Sequence, residues 1–472
     1  MKVTVGTVAR RRTELGLLVL GVGLTGSLYT LASLAKSAKL PLNLRAFLVA
    51  VSAMLLLAHF IVRRTARHAD ATLLPLAALL NGIGYVFIAR LRPTYAPKQA
   101  LWTAVAIGAF SLTMIFARNI RNLEYFRYSF AIGGIVLLLL PMVPGIGYER
   151  NGSRIWAHFG PVSFQPGEIA KLTLAIFMAS FLVERRELLA LAGRRVFGMT
   201  FPEAKHLGPV ALAWLLSMMV MVLEKDLGSS LLFFALFLAM LWVATGRGSF
   251  VVITGVMFFG GATLAYRIFA HVQVRVSTWI NPWPTASGKG YQIVQSLYAF
   301  GSGGITGTGI NLGSPTRIPA SHNDFILAAI GEELGLAGSV AVVVIFFLIV
   351  GAGLRIALRA DSPFEKLLAA GLTTIIGVQT FIIVGGVTRL VPLTGVTLPF
   401  VSYGGSSLVV NYVLIALLLR ISHDANVRHG DAVPLTALER RGQRRRQHKL
   451  DAVADDVTSL DLRPDRPIET DR

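Results

Sequence analysis

Apolar residues run along this chain in blocks of roughly twenty, the length a helix needs to cross a bilayer, and short polar or basic breaks separate them. About twelve blocks read as spanning helices by that criterion: 14–34, 44–63, 72–90, 100–117, 127–146, 168–184, 208–224, 227–243, 249–268, 323–354, 364–388 and 398–421. The fold class expected is therefore all-α, a polytopic transmembrane helical bundle. Two stretches interrupt the pattern. Residues 147–167 and 269–322 are long and rich in Gly, Pro, Trp and polar side chains. Their backbone could not lie unpaired in lipid, so each must fold over the mouth of the bundle or line a wet cavity. Chemistry is to be sought there.

Composition agrees. Of 472 residues, 54% are hydrophobic and only 15% charged, with a mean hydropathy of +0.63, a membrane balance. The absence of cysteine excludes disulfides and thiolate metal sites. The net charge of +20 raises nucleic acid as a partner, but in a membrane protein basic residues gather on the cytoplasmic side, facing anionic lipid; no nucleic-acid partner is expected. Arg10–Arg12, Arg63, Arg64, Arg67, Arg118, Arg121, Arg127, Arg185, Arg186, Arg194, Arg195, Arg355, Arg359 and Lys366 fall on one side if both termini are cytoplasmic, which turns the two irregular stretches outward. Lys36, Lys39, Arg45, Arg90, Arg92 and Lys98 on the other side weaken that asymmetry. The basic start precedes an apolar run too long for a signal peptide and reads as a retained helix. After Arg420 the chain turns polar, through Arg440, Arg441 and Arg444–Arg446 to Asp455 and Asp456, as in a disordered tail. Three regions follow: 1–67, with the N terminus and the first two helices; 68–421, the core with both outward loops; and 422–472, the charged tail.

Unusual residues cluster in and beside the outward stretches. Asn151-Gly-Ser-Arg-Ile-Trp156 precedes Phe164-Gln-Pro-Gly-Glu168 and Lys171. Glu168 and Lys171, three apart, are neighbours on one helix face; an ionisable pair at that depth is either a functional feature or an ion pair joining two helices. Trp156 suits an interfacial belt as well as a substrate contact. Gly290-Tyr-Gln-Ile-Val-Gln-Ser296 leads to a glycine-rich stretch, Gly301 to Gly309. Without a preceding strand this is no dinucleotide fingerprint, and a tight loop packed on the bundle explains it equally well. His322-Asn-Asp324-Phe-Ile opens a long apolar helix that carries Glu332 and Glu333 two turns deeper. Asp324 could simply favour the helix dipole; a wet, charged cavity joining it to the two glutamates is the other reading. Glu224-Lys-Asp226-Leu-Gly reads as a compact outward turn without a catalytic role. Gly395 to Phe400 and Ser402-Tyr-Gly-Gly-Ser-Ser407 open the last helix, where small residues permit close helix approach and free N–H groups could bind a pyrophosphate.

These segments, in this order over about residues 72 to 421, resemble the SEDS family of shape, elongation, division and sporulation proteins, whose members include RodA, FtsW and SpoVE. The match rests on Asn151–Trp156, Phe164–Lys171, Asp226-Leu-Gly228, Gly290–Ser296, His322–Phe325 with Glu332 and Glu333, and Leu398–Ser407. The family's His-Thr-Asp-Phe stands here as His322-Asn-Asp-Phe325, and its Gln-Pro-Asp-Leu-Gly as Glu224-Lys-Asp-Leu-Gly228. The family's ten-span core is preceded here by two extra helices. The resemblance implies a peptidoglycan glycosyltransferase that polymerises lipid II into β-1,4 glycan strands at the outer face of the cell membrane, beside a class B penicillin-binding protein that supplies transpeptidation. It leans toward a role in elongation.

Residue by residue, the resemblance makes Asp324 the catalytic carboxylate, and Trp156, Glu168 and Lys171 match positions the family needs. Arg154, Gln292, Gln295, Ser296, His322, Ser402 and Ser406 complete the expected set contacting lipid II and the growing strand. Asp324 is expected to act as general base on the acceptor 4-hydroxyl, with Lys171 and Arg154, then Arg275, Arg317 and Arg389, countering charge on the departing pyrophosphate. No cofactor is called for; a divalent cation, Mg or Mn, is compatible, although no ligand spacing demands one. The competing readings are a flippase for the lipid precursor and a non-catalytic scaffold for the penicillin-binding protein.

Overall fold

The computed structural model describes residues 5–40, 44–150, 153–160, 162–191, 194–196 and 199–201, a few positions between 215 and 222, and 224–429. Ten of its helices are long and apolar enough to cross a membrane, and the apolar helix over Arg127–Met142 is shorter. In chain order the helices are α1 (Val5–Ser37), α2 (Leu44–Thr65), α3 (Leu73–Leu91), α4 (Ala96–Phe116), α5 (Asn122–Tyr125), α6 (Arg127–Leu139), α7 (Pro166–Leu191), α8 (Leu227–Thr245), α9 (Gly248–Ile268), α10 (Ala270–Ile280), α11 (Tyr291–Gly303), α12 (Ile326–Arg359), α13 (Pro363–Val387) and α14 (Gly405–Arg428). The block at 208–224 and the tail from 430 onward lie largely or wholly outside the described residues.

Helices that are apolar all round belong at the centre of a bundle. The apolar windows of α14 and α13 are 78% and 72% buried, against 17% in α1. α14 lies along α4, α13 packs on α8 and α12, and α1 and α2 lean on α3 and α4 as an outer pair. One main apolar core runs through α3, α4, α7, α8 and α12–α14.

The two interrupting stretches are more structured than irregular coil. The first folds into an antiparallel sheet in the order β1 (Gly147–Arg150), β2 (Ser153–Phe159), β3 (Val162–Phe164), so the all-α bundle carries a small β cap; a short hairpin, β4 (Arg194–Val196) with β5 (Met199–Phe201), lies elsewhere. The second stretch contains α10 and α11. The last helix begins at Gly405 rather than 398, because Pro399, Phe400 with φ +63° and Gly404 hold the preceding residues in an irregular loop. It runs on to Arg428, past the boundary expected at 421.

The glycine-rich run proves to be a splice into α12. Gly335 inside that helix has φ +67°, which breaks its hydrogen-bond ladder. The loop after α11 repairs the break: Thr308 N and Gly309 N donate to the carbonyls of Glu332 and Glu333 (2.9 and 3.0 Å), and Leu336 N and Ala337 N donate to those of Gly304 and Ile305 (2.9 and 3.1 Å). A Cβ on Gly307 would stand 2.2 Å from the Glu333 carbonyl oxygen, so the close approach requires glycine.

Candidate functional site

The site forms where α7, α13, α10 and two loops meet. Gln165 N donates to Ser406 Oγ (3.0 Å), tying the strand-to-helix junction to α14. Pro166 then starts α7, where a missing N–H costs nothing. Glu168 and Lys171 follow on one face, paired at 2.6 Å with side chains 4% and 3% exposed. Lys171 Nζ also donates to Gln379 Oε1 (2.7 Å), and Gln379 Nε2 donates to the Thr397 carbonyl (2.7 Å). An ammonium can only donate and a carbonyl can only accept, so the amide has one orientation, and it links α7 to the 388–404 segment. Sequence reasoning missed Gln379. Its signal was a lone amide within the apolar block 364–388.

That segment is pinned to α10. Trp279 Nε1 donates to the Arg389 carbonyl (3.2 Å), Arg389 Nη2 to that of Ile280 (3.0 Å), and Arg275 Nη1 to that of Leu393 (2.6 Å). Gly395 follows with φ +77°; a Cβ there would lie 3.9 Å from both Arg275 Nη atoms and 4.0 Å from Asp324 Oδ2. Arg275 and Asp324 thus converge on the open side of a glycine. Ser402 Oγ donates to the Asn323 carbonyl (2.5 Å) and accepts from Leu398 N (2.9 Å), and Tyr403 N donates to the His322 carbonyl (2.9 Å). The loop carrying Asp324 is latched to the loop carrying Gly395, and the His322 ring meets Tyr95 and Tyr403 at 5.2 and 6.1 Å.

Asp226 completes the constellation. Expected to be a bland turn residue, it caps α8, accepting from Gly228 N (2.9 Å), Ser229 N (3.2 Å) and Ser229 Oγ (2.6 Å). Its charge also stabilises the Arg275 cation, whose pKa burial lowers while Asp226 and Asp324 raise it. Gly228 lies so close to the 388–404 segment that a Cβ would meet Val396 Cγ2 at 2.0 Å. Asp324 keeps part of its surface open, yet the protein around it strips enough solvent to push its pKa up to about 6, against the opposing pull of its own backbone N–H and of Arg275. A carboxylate so poised is ionised near neutral pH and accepts a proton more readily than an ordinary aspartate.

The other expected residues divide. Trp156 and Arg154 share a face of β2, two residues apart; Trp156 stacks on Tyr148 at 6.5 Å and Arg154 is half-buried. Ser153 Oγ donates to the Lys225 carbonyl (3.3 Å), which brings this strand to the Asp226 turn. Ser296 is wholly buried and donates to the Val387 carbonyl (3.1 Å), a joint between α11 and α13. No hydrogen bond joins the half-buried Gln292 and Gln295 to the network among the described residues. Arg317 is exposed. Glu333 pairs with Arg90 (2.6 Å) and Glu332 Oε1 accepts from Ser314 N (2.6 Å), so the two glutamates anchor the spliced loop rather than extend a charged cavity to Asp324. For a metal, Asp226 has both oxygens engaged in its cap, and among the described residues no three His, Cys, Asp or Glu side chains group together.

Comparison with known proteins gives a consistent pattern. The model of the FtsW/RodA/SpoVE family, described as cell cycle protein, matches residues 87–427. The peptidoglycan glycosyltransferase RodA of Mycobacterium tuberculosis is 43% identical over 443 residues, 91% of this chain and 94% of that one. The RodA of Mycobacterium leprae is 46% identical over 379 residues, 78% and 81% of the two chains, and the stage V sporulation protein E of Bacillus subtilis 35% over 337, 70% and 87%. Among solved structures, a chain of a peptidoglycan synthase complex that coordinates polymerization and crosslinking aligns with a TM-score of 0.61 and 27% identity, covering 76% of this chain and 98% of that one. The rod shape determining protein RodA of Thermus thermophilus shares the fold, with a TM-score of 0.54, 24% identity and coverage of 75% and 97%.

Proposed function

This chain belongs to the FtsW/RodA/SpoVE family of cell cycle proteins, and from that premise we propose that it is a peptidoglycan glycosyltransferase that polymerises lipid II at the outer face of the cell membrane, both termini lying in the cytoplasm. The observation that carries the reading is the convergence of Asp324 and Arg275 on Gly395, in a loop that Gln379 ties to the buried Glu168–Lys171 pair. A glycosyltransferase facing outward must use a lipid-linked donor, and a bundle that keeps a partly open carboxylate beside a cation at one end suits a sugar-pyrophosphate delivered from the membrane.

In this mechanism Asp324 takes the proton from the acceptor 4-hydroxyl as that oxygen attacks the donor anomeric carbon. The bond to the undecaprenyl pyrophosphate breaks on the opposite face, and the α-linked donor becomes a β-1,4 bond. Arg275 is the cation whose charge acts on the base, and Arg154 on β2 supplies a second charge for the leaving group. Lys171, engaged by Glu168 and Gln379, positions the 388–404 loop. No step is routed through a metal. A class B penicillin-binding protein is the partner that the likeness to a synthase complex supports.

The test is polymerisation of purified lipid II by the full-length protein and by Asp324→Asn, with and without a cognate class B penicillin-binding protein, resolving chain length by gel. Polymer from wild type alone supports the reading. If neither forms polymer in any pairing while the protein moves lipid II across vesicles, a flippase takes its place. Polymer from the variant equal to wild type removes Asp324 from the chemistry.

A further inference from the structure

The β cap has two unlike faces. Tyr148 pairs directly with Trp156 across β1 and β2, and His158 with Ser163 across β2 and β3. Residues opposite one another share a face, as do alternate residues of one strand, so Tyr148, Arg154, Trp156, His158 and Ser163 stand together. The other face carries Ala157, which is wholly buried, with Phe164 opposite it and Phe159 stacked on Phe164 at 6.1 Å. Ala157 marks that side as the one turned to the bundle. The first face is open: His158 and Ser163 are exposed, and Tyr148 and Trp156 keep part of their surface. Its rings form one group. Tyr148 lies 6.5 Å from the Trp156 ring with 29° between planes, and 5.7 Å from the His158 ring with 60°. Polar atoms edge the group, since the Tyr148 hydroxyl shares a hydrogen bond with Ser163 Oγ (2.8 Å) and Arg154 stands two residues from Trp156.

The face also has a direction. Ser153, at the start of β2, donates to the Lys225 carbonyl beside Asp226, so that end of the strand adjoins the site. Each residue onward advances the chain by about 3.3 Å. Arg154 comes first, Trp156 and Tyr148 follow, and His158 with Ser163 lies roughly 17 Å from Ser153. A membrane belt would set its rings among apolar neighbours, but here they stand among Arg154, Ser163 and an exposed imidazole. Rings edged with polar groups suit a sugar: a ring covers the apolar C–H face of a pyranose, the rim takes its hydroxyls and amides, and rigid rings lose little entropy in doing so. We propose that the open face of the β cap is a carbohydrate-binding track that holds the sugars of the growing glycan strand as they leave the site. The identity of the sugar, a β-1,4-linked N-acetylhexosamine, rests on the polymerase reading. One end of the strand reacts at Asp324, and the rest has to pass the mouth of the bundle. Contacts with several sugars at once keep the strand bound between additions.

The test uses chitotetraose, a soluble β-1,4-linked N-acetylglucosamine chain without lipid, pyrophosphate or peptide, as the probe in saturation-transfer NMR. The full-length protein is held in nanodiscs, with empty nanodiscs as reference and maltotetraose, α-linked and without acetamido groups, as the comparison sugar. Expected are saturable transfer to chitotetraose from wild type and binding about three- to tenfold weaker in Trp156→Ala and in Tyr148→Ala, the worth of one ring contact. Trp283→Ala, whose exposed ring neighbours Tyr298 instead, should bind as wild type does. Melting transitions confirm that each variant is folded. Where an alanine variant is not, His158→Ala, at an exposed position, decides, with binding about threefold weaker. The proposal falls if wild type shows no saturable transfer, if the three cap variants bind as wild type does, or if Trp283→Ala loses the binding that they keep. Maltotetraose bound as well as chitotetraose overturns the glycan assignment. No arm requires turnover, so a protein that makes no polymer and a cap that holds no sugar are separate results.

Discussion

Both ends of the bundle bury charge, but they treat it differently. At the end where the α2–α3 loop meets the C-terminal part of α14, each buried cation is matched to several acceptors. Arg420 reaches the carbonyls of Thr65 (2.6 Å), Ala117 (3.2 Å) and Arg118; Arg11 reaches those of Ala66 (2.7 Å), Arg67 (3.2 Å) and Ala69 (3.3 Å) and pairs with Glu14. Glu365 takes Arg428 through both oxygens at 2.9 Å and Arg121 at 3.2 Å. At the other end Asp324 keeps an open side and a raised proton affinity. Saturated charges clamp helix ends together. A charge held near others yet incompletely answered is what a proton transfer needs.

Substitutions should separate the two treatments. The largest effect is expected for Asp324→Asn, a loss of about 10²–10⁴-fold in polymerisation, the usual worth of a general base. Its stability should move the other way. The folded pKa lies above the ordinary carboxylate value, so the folded protein holds this proton more tightly than the unfolded chain and loses stability as pH rises toward about 6. Removing the carboxylate lifts that cost, and the melting temperature of the variant at neutral pH should be no lower than wild type. A clear drop would show a structural clamp.

Lys171→Ala is the next largest. It strands Glu168 in a buried setting, at a cost of about 3–5 kcal/mol, and also releases Gln379. The double variant Glu168→Gln with Lys171→Met should regain most of the stability without regaining activity. If activity returns with stability, the pair acts only as a helix joint. Arg420→Leu leaves three carbonyls without their charged donor and should cost about 2–3 kcal/mol; turnover per folded molecule, measured against active-enzyme concentration, should stay within twofold of wild type, as order of magnitude. The mildest perturbation is pH itself. Below the Asp324 pKa of about 6, polymerisation should fall about tenfold per pH unit and level off above it. A rate flat through that range would remove Asp324 as the base.

Much of this was legible in the chain because it is local. Spanning length and apolar runs set the helices, and the i,i+3 spacing of Glu168 and Lys171 set their pairing. Proline at 166 marked a helix start, and Asp324 stood at the head of a long apolar block. What escaped was long-range. Asp226 looked like a turn because its N-cap role is local, and its nearness to Arg275 arises only from the packing of α8 and α10. Gln379 looked like an ordinary polar residue in a span until Lys171 and Thr397, both distant in sequence, were brought to its two ends. Glu332 and Glu333 looked like partners for Asp324, but Arg90 and the backbone of Ser314 reached them first.

Sequence alone therefore determined that this is a membrane bundle with a polar, glycine-rich end, since the bilayer leaves a chain few ways to satisfy its backbone and each leaves a periodic mark. Tertiary structure decided which charges stay open and which are saturated. It set Arg275 and Asp324 beside a glycine and repaired the break at Gly335 with a loop from α11. Partner choice of this kind depends on distances between segments hundreds of residues apart, and no spacing along the chain encodes them.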